Sequence, residues 1–135
     1  MKYDKLRLEK LIPTVVLPER YCGKILLVSI AVGAERIVVL RSGDLWHREI
    51  LRNTEAEILA LGISGARIDE LGGAHLRFEA DGSILIWGGS DAYGACDHEY
   101  AAASSNQSGR NARSTFFSHA CGLTPIRGLI RGLIP

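Results

Sequence analysis

The chain alternates apolar runs with charged or glycine-rich breaks, and the period of each run predicts an element. KILLVSIAV (24–32) and RIVVLR (36–41) are near-continuous apolar runs rich in β-branched residues, the pattern of buried strands. Gly33-Ala34 between them reads as a hairpin turn, with Gly33 suited to positive φ. RIDEL (67–71), AHLRF (74–78) and SILIWG (83–88) read as further strands. Asp81-Gly82 is a two-residue hairpin signal joining the last two. Gly72-Gly73 marks a bulge or kink, where the backbone bends or approaches something closely. TVVL (14–17), bracketed by Pro13 and Pro18, is a candidate edge strand after a charged lead-in.

The helical period appears in SGDLWHREILRNTEAEILALG (42–62), where Trp46, Ile50, Ile58 and Leu61 share a face and Gly62 is a stop. Its start is open. Ser42 or Asp44 would place His47 in the first turn, whereas Thr54 with Glu57 matches a capping box. DHEYAAAS (97–104) predicts a short helix with Asp97 as N-cap and Glu99 in the first turn. Strands and helices segregate rather than alternate strictly. The expected class is therefore α+β, with a mixed, mostly antiparallel sheet of five to six strands flanked by two helices. The expected organisation is one domain over 1–103 and a divergent tail over 104–135. In that tail SSNQSGRNARS is polar and PIRGLIRGLIP repeats IRGLI.

Composition narrows the class. With 135 residues the length fits one domain, and 47% apolar with 23% charged residues is ordinary for a soluble globular chain. A net charge of +1 gives no reason to expect nucleic acid or an acidic membrane surface. The longest apolar stretch falls short of the ~20 residues of a membrane span, and the charged N-terminus lacks the apolar core of a secretory signal. A cytoplasmic location is expected. Cys22, Cys96 and Cys121 show no CxxC spacing, which argues against a disulfide scaffold or a structural zinc site. Cys96 precedes a helix start, where a thiolate would be favoured; a passive core residue is the commoner role of a free cysteine.

The candidate chemistry lies in IWGGSDAYGACDH (86–98). Gly88, Gly89 and Gly94 allow consecutive N–H groups to point at one spot, and the following helix start and the Ser90 hydroxyl add donors. That is a cradle for an anion without a Walker lysine; the competing account is a tight strand-to-helix turn. Asp91 would repel an anion unless it faced solvent. His47 is the acid–base candidate because an imidazole titrates near neutrality, although a histidine beside Trp46 can equally be structural. His98 falls in a helix first turn, His119 in the tail, and His75 and Arg77 share one face of a strand. No HxxxH or HExxH spacing supports a metal site. Lys24, after Gly23, is either a solvated strand end or the counter-charge to a bound phosphate.

LIP (11–13), GKILLVSI (23–30), IVVLRSGDLWHREI (37–50), LGGAHLRF (71–78) and IWGGSDAYGACDH (86–98), in this order and spacing, resemble the Janus/Ocnus family over about residues 11–103. The resemblance implies a largely antiparallel sheet with two helices, and metal-independent hydrolysis of the phosphoramidate bond of phosphohistidine. It implies His47 as the essential histidine, Lys24 as the lysine, and Gly89-Ser90-Asp91-Ala92-Tyr93 as the phosphate loop, with the Ser90 and Ala92 amides and the Ser90 hydroxyl donating. It implies no cofactor, and phosphohistidine-containing proteins or peptides as partners of a monomer. The chain departs from the family pattern at His75, where relatives carry an arginine that Arg77 would replace, and at Arg41, which is displaced along its strand. Gly89 stands where an aromatic is common, the stretch from His47 to Leu71 is longer, and the C-terminal end differs. The expected function is a phosphohistidine phosphatase with a histidine general base. The alternative is a non-enzymatic module that binds phosphoryl ligands or protein on the same scaffold.

Overall fold

The apolar run predicted as a strand forms β1 (Cys22–Val32) inside the sheet, with Ile25 to Ile30 all buried. The structure, a computed structural model, describes residues 3–44, 46–107 and 130–132. β1 turns at Gly33, whose φ is 61°, and pairs antiparallel with β2 (Glu35–Gly43). On its other side it pairs antiparallel with β3 (Arg67–Phe78), which pairs with β4 (Ile84–Trp87). These four form an antiparallel sheet in the order β2-β1-β3-β4, and the segment Ile130–Gly132 (β5) pairs antiparallel along the outer edge of β4.

The sheet is antiparallel in every strand pair among the described residues, not mixed as expected. The parallel contacts are isolated bridges, one of which fastens the predicted TVVL strand to β2. There the Val16 N–H donates to the Leu40 carbonyl at 2.9 Å and the Leu40 N–H to the Thr14 carbonyl at 2.8 Å. The β3–β4 turn is also longer than the two residues expected. The Glu79 N–H donates to the Ser83 carbonyl at 2.8 Å, and Gly82 takes φ 89° at the end of the turn.

Three helices stand where two were expected. The extra one is α1 (Lys5–Leu11), capped by Asp4, whose carboxylate accepts from the Arg7 N–H at 2.7 Å. Its alternation of charged and apolar residues conceals a helical pair, Leu8 and Ile12, both fully buried. α2 (His47–Ala60) follows an extended Trp46. Thr54 therefore sits mid-helix, its hydroxyl donating to the Ile50 carbonyl at 2.9 Å, and the capping-box start is overturned. α3 (His98–Gln107) starts where predicted, with the Asp97 carboxylate accepting from the Tyr100 N–H at 3.0 Å, and runs past the predicted end. Apart from β5, the predicted tail beyond α3, with His119 and Cys121, lies outside the described residues.

Each sheet face carries its own core. On one, Leu26, Val28 and Ile30 pack under Leu8 and Ile12 and under Ile50 and Ile58 of α2. On the other, Ile25, Leu27, Leu76 and Phe78 pack against Ala101 and Ala102 of α3 and against Leu17 and Tyr21. No described helix is long and apolar enough to cross a membrane.

The predicted irregularity at Gly72-Gly73 is a β-bulge. Val28 faces Glu70 but Leu26 faces Gly73, so one extra residue of β3 is accommodated, with Gly72 at φ 98°. Side chains alternate with period two, so an inserted residue reverses which face each later side chain takes. Beyond the bulge Ala74, Leu76 and Phe78 enter the α3-side core. His75, opposite Lys24 of β1, turns to the α2 side.

Candidate active site

His47 is the first residue of α2, and its ring lies against the bulge. A Cβ at position 73 would come within 2.5 Å of the ring Cδ2 and 2.7 Å of Nε2, so the ring can lie there only over a glycine. The imidazole is 6% exposed, and its Nε2 is 3.1 Å from the Ala74 carbonyl oxygen. A carbonyl can only accept, so Nε2 carries a hydrogen and Nδ1 is the nitrogen that holds the lone pair whenever the ring is neutral.

The loop after β4 faces this ring. It closes on itself, with the Ser90 N–H donating to the Gly94 carbonyl at 3.0 Å and the Gly94 N–H to the Ser90 carbonyl at 2.8 Å. It is also stapled to the bulge: the Gly73 N–H donates to the Gly94 carbonyl at 2.9 Å and the Cys96 N–H to the Gly73 carbonyl at 3.0 Å. A Cβ at Gly72 would lie 2.7 Å from the Ala95 backbone, which is why this crossing needs glycine. Within the loop the Ser90 hydroxyl oxygen accepts the Ala92 and Tyr93 N–H groups, each at 3.2 Å. A further histidine holds the loop base: His98 Nε2 bonds the Gly88 carbonyl at 2.8 Å. His98 is thus a structural fastening.

Between loop and helix is a pocket of about 460 Å³, lined by Lys24, His47, His75 and residues 89–92, together with Trp46, Arg48 and Glu49. The Lys24 ammonium lies 5.7 Å from the centre of the Trp46 ring, a cation–π contact at the exposed rim. His75 stacks on Trp87, with ring centres 5.5 Å apart and planes 21° from parallel, and meets His47 edge-on at 5.9 Å. Burial, then His47, then Lys24 push its pKa down from the ordinary imidazole value, against weaker support from the Trp87 backbone and Asp91.

Seven of the predicted site residues therefore converge: Lys24, His47, His75, Gly89, Ser90, Asp91 and Ala92. Asp91 is exposed yet lines the pocket, and its charge reaches His75. Two do not line the pocket. Tyr93 gives the loop its N–H, while its side chain packs on the α2-side core. Arg77 is buried and its Nε donates to the Glu79 carboxylate at 3.0 Å, so it does not stand in for the arginine that His75 replaces. Arg41 is likewise taken up, by Glu57 at 3.2 Å. Cys96 belongs to the core, and burial pushes its thiol up to about 11; the thiolate alternative is corrected.

Trp46, Arg48 and Glu49 line the pocket without being among the predicted site residues. They flank His47, and a firm helix start there would have put them on the same first turn. Tyr21 likewise stands outside the predicted site residues. That hydroxyl lies 2.7 Å from the Lys24 carbonyl and 2.9 Å from the Gly43 carbonyl and accepts the Gly43 N–H at 3.0 Å, locking the strand pair that carries Lys24. Burial raises its pKa to about 12, so it stays a neutral donor. Among the described residues no group of three His, Cys, Asp or Glu side chains is placed to hold a metal ion.

A comparison with curated proteins finds no match. A family model does match, over residues 10–111, most of the chain and every element of the pocket: the protein belongs to the Janus/Ocnus family, which includes the phosphohistidine phosphatases.

Proposed function

We propose that the protein hydrolyses the P–N bond of phosphohistidine, or of a related N-phosphate, in proteins or peptides, using its own side chains without a metal. The observation that carries this reading is His47 with its Nε2–H committed to Ala74, in one pocket with the loop 89–92 and Lys24. A phosphoryl group in the loop competes with the Ser90 oxygen for the Ala92 and Tyr93 N–H groups, and Lys24 offsets its charge. These dipoles are fixed before the reaction, so they act on charge that builds on the phosphoryl oxygens in the transition state. His47 Nδ1 takes a proton from water as the water oxygen bonds to phosphorus. The leaving ring carries a proton on its other nitrogen, so when the P–N bond breaks with its electron pair on the ring it departs as neutral imidazole, and the proton taken from water stays on His47 until it passes to solvent. A protonated imidazole is a far better leaving group than an alkoxide, so positioning and electrostatics can suffice.

The test is inorganic phosphate release from a phosphohistidine peptide in EDTA, comparing wild type with His47→Ala. Release by the wild type, reduced at least ~10²-fold in the variant, is expected for loss of a general base. Release that survives the substitution would remove His47 from the chemistry. One observation favours the binding-module reading instead: Arg41 and Arg77 are both paired outside the pocket, which leaves Lys24 and Arg48 as its permanent cations among the described residues. A folded wild type that binds the peptide and releases no phosphate would establish that reading.

A further inference from the structure

The pocket holds a group that neither the loop nor the general base accounts for. His75 lies directly across the β1–β3 pair from Lys24, on the pocket wall between Trp87 and His47. Stacking on Trp87 fixes the plane of its ring. Its Nδ1 is buried without an aligned hydrogen bond, and a Cβ at Gly88 would come within 3.2 Å of that atom. The ring therefore has its back to β4, and its Nε2 edge is the one left for the pocket.

The charges that face the ring come from every surrounding element. Lys24 of β1 and His47 of α2 disfavour an imidazolium, and Asp91 of the loop favours one. Arg48 and Glu49 of α2 line the same pocket with opposite signs. A phosphoryl dianion between the loop and Lys24 would reverse the balance. It would add negative charge next to the ring and offer an oxygen that accepts from Nε2–H, and both effects favour the charged form. We propose that His75 binds the phosphoryl group as a conditional cation, taking up a proton as the oxyanion enters beside Lys24, so that anion binding and protonation are one event. This rests on the reading of the pocket as a phosphoryl site and deepens it. A permanently charged arginine would bind at any pH. His75 instead makes the site favour acid conditions, and when the oxyanion leaves, its proton can leave too.

Sulfate is the suitable probe, because it is a dianion that does not itself titrate near neutrality. Binding heat is measured by calorimetry in two buffers of different ionisation enthalpy, for wild type, His75→Gln, His75→Arg and His47→Gln. The expected wild-type result is uptake approaching one proton per sulfate between the lowered pKa of His75 in the free pocket and its raised pKa in the occupied one, with affinity falling by up to about tenfold per pH unit across that window and levelling off above it. Uptake should vanish in both His75 variants and persist in His47→Gln. His75→Arg, a permanent cation, should keep binding with little pH dependence, which separates loss of the proton from loss of the fold. Sulfate binding without proton uptake, or uptake lost in His47→Gln instead, would overturn the role of His75 while leaving the pocket an anion site. No sulfate binding by folded wild type would overturn both.

Discussion

At the residue scale, His75 also links pH to folding. Burial, His47 and Lys24 lower its pKa in the folded protein, so between that value and the unfolded ~6.5 the unfolded chain binds more protons. Stability is then fully present above the unfolded value and is lost as pH falls through the folded one. The melting temperature should drop from neutral to mildly acidic pH more steeply in wild type than in His75→Gln, which has no titrating ring. Parallel slopes for the two proteins would assign the acid sensitivity to another group. His75 and Cys96 also show what could be read from residue type and what could not. Both were identifiable as titratable groups, but the direction of each shift comes from burial by strands and helices distant in the chain.

At the scale of elements, the bulge in β3 is the feature on which the site depends. It flips the parity of the strand so that His75 shares a face with Lys24, and it supplies at Gly73 the space for His47. Gly73→Ala should therefore act on the site rather than the fold. The added Cβ meets the ring 2.5 Å away, the far end of a side chain that can rotate, whereas at Gly72 it would meet the Ala95 backbone at positive φ. A displaced base of about 1 Å costs on the order of 10² in rate. Phosphate release should fall by that order in Gly73→Ala with the far-UV spectrum retained, and Gly72→Ala should lower the melting temperature more. Full activity in Gly73→Ala would show that the ring position is not needed. Paired glycines signalled this bulge in the sequence. The helix start at His47 gave no such signal, because Trp46 caps it with extended backbone and no side-chain hydrogen bond.

For the whole molecule, the sheet is one wall shared by two cores, and the pocket forms where the α2 side meets the loop that leads to α3. Apolar periodicity reveals the strands of that wall. It does not reveal α1, whose burial rests on Leu8 and Ile12 alone among exposed neighbours. Nor could it exclude Arg77 from the site, since its pairing with Glu79, two residues on at the end of the strand, depends on side-chain conformation. A shared wall makes a prediction about cooperativity. Phe78 is fully enclosed on the α3 side, on the sheet face away from His47. Truncating a buried phenylalanine to alanine costs about 3–5 kcal/mol, a large share of the roughly 5–15 kcal/mol that holds a domain of this size together. If the sheet couples the two cores, Phe78→Ala should lower the denaturant midpoint of the whole protein in a single transition. Two probes check this, since Trp46 and Trp87 stand at the pocket while the far-UV signal reports the helices and sheet. Coincident curves for fluorescence and circular dichroism are expected in wild type and variant alike. A fluorescence transition that stays at the wild-type midpoint while the far-UV curve moves would mean that the pocket side folds independently of the face behind it.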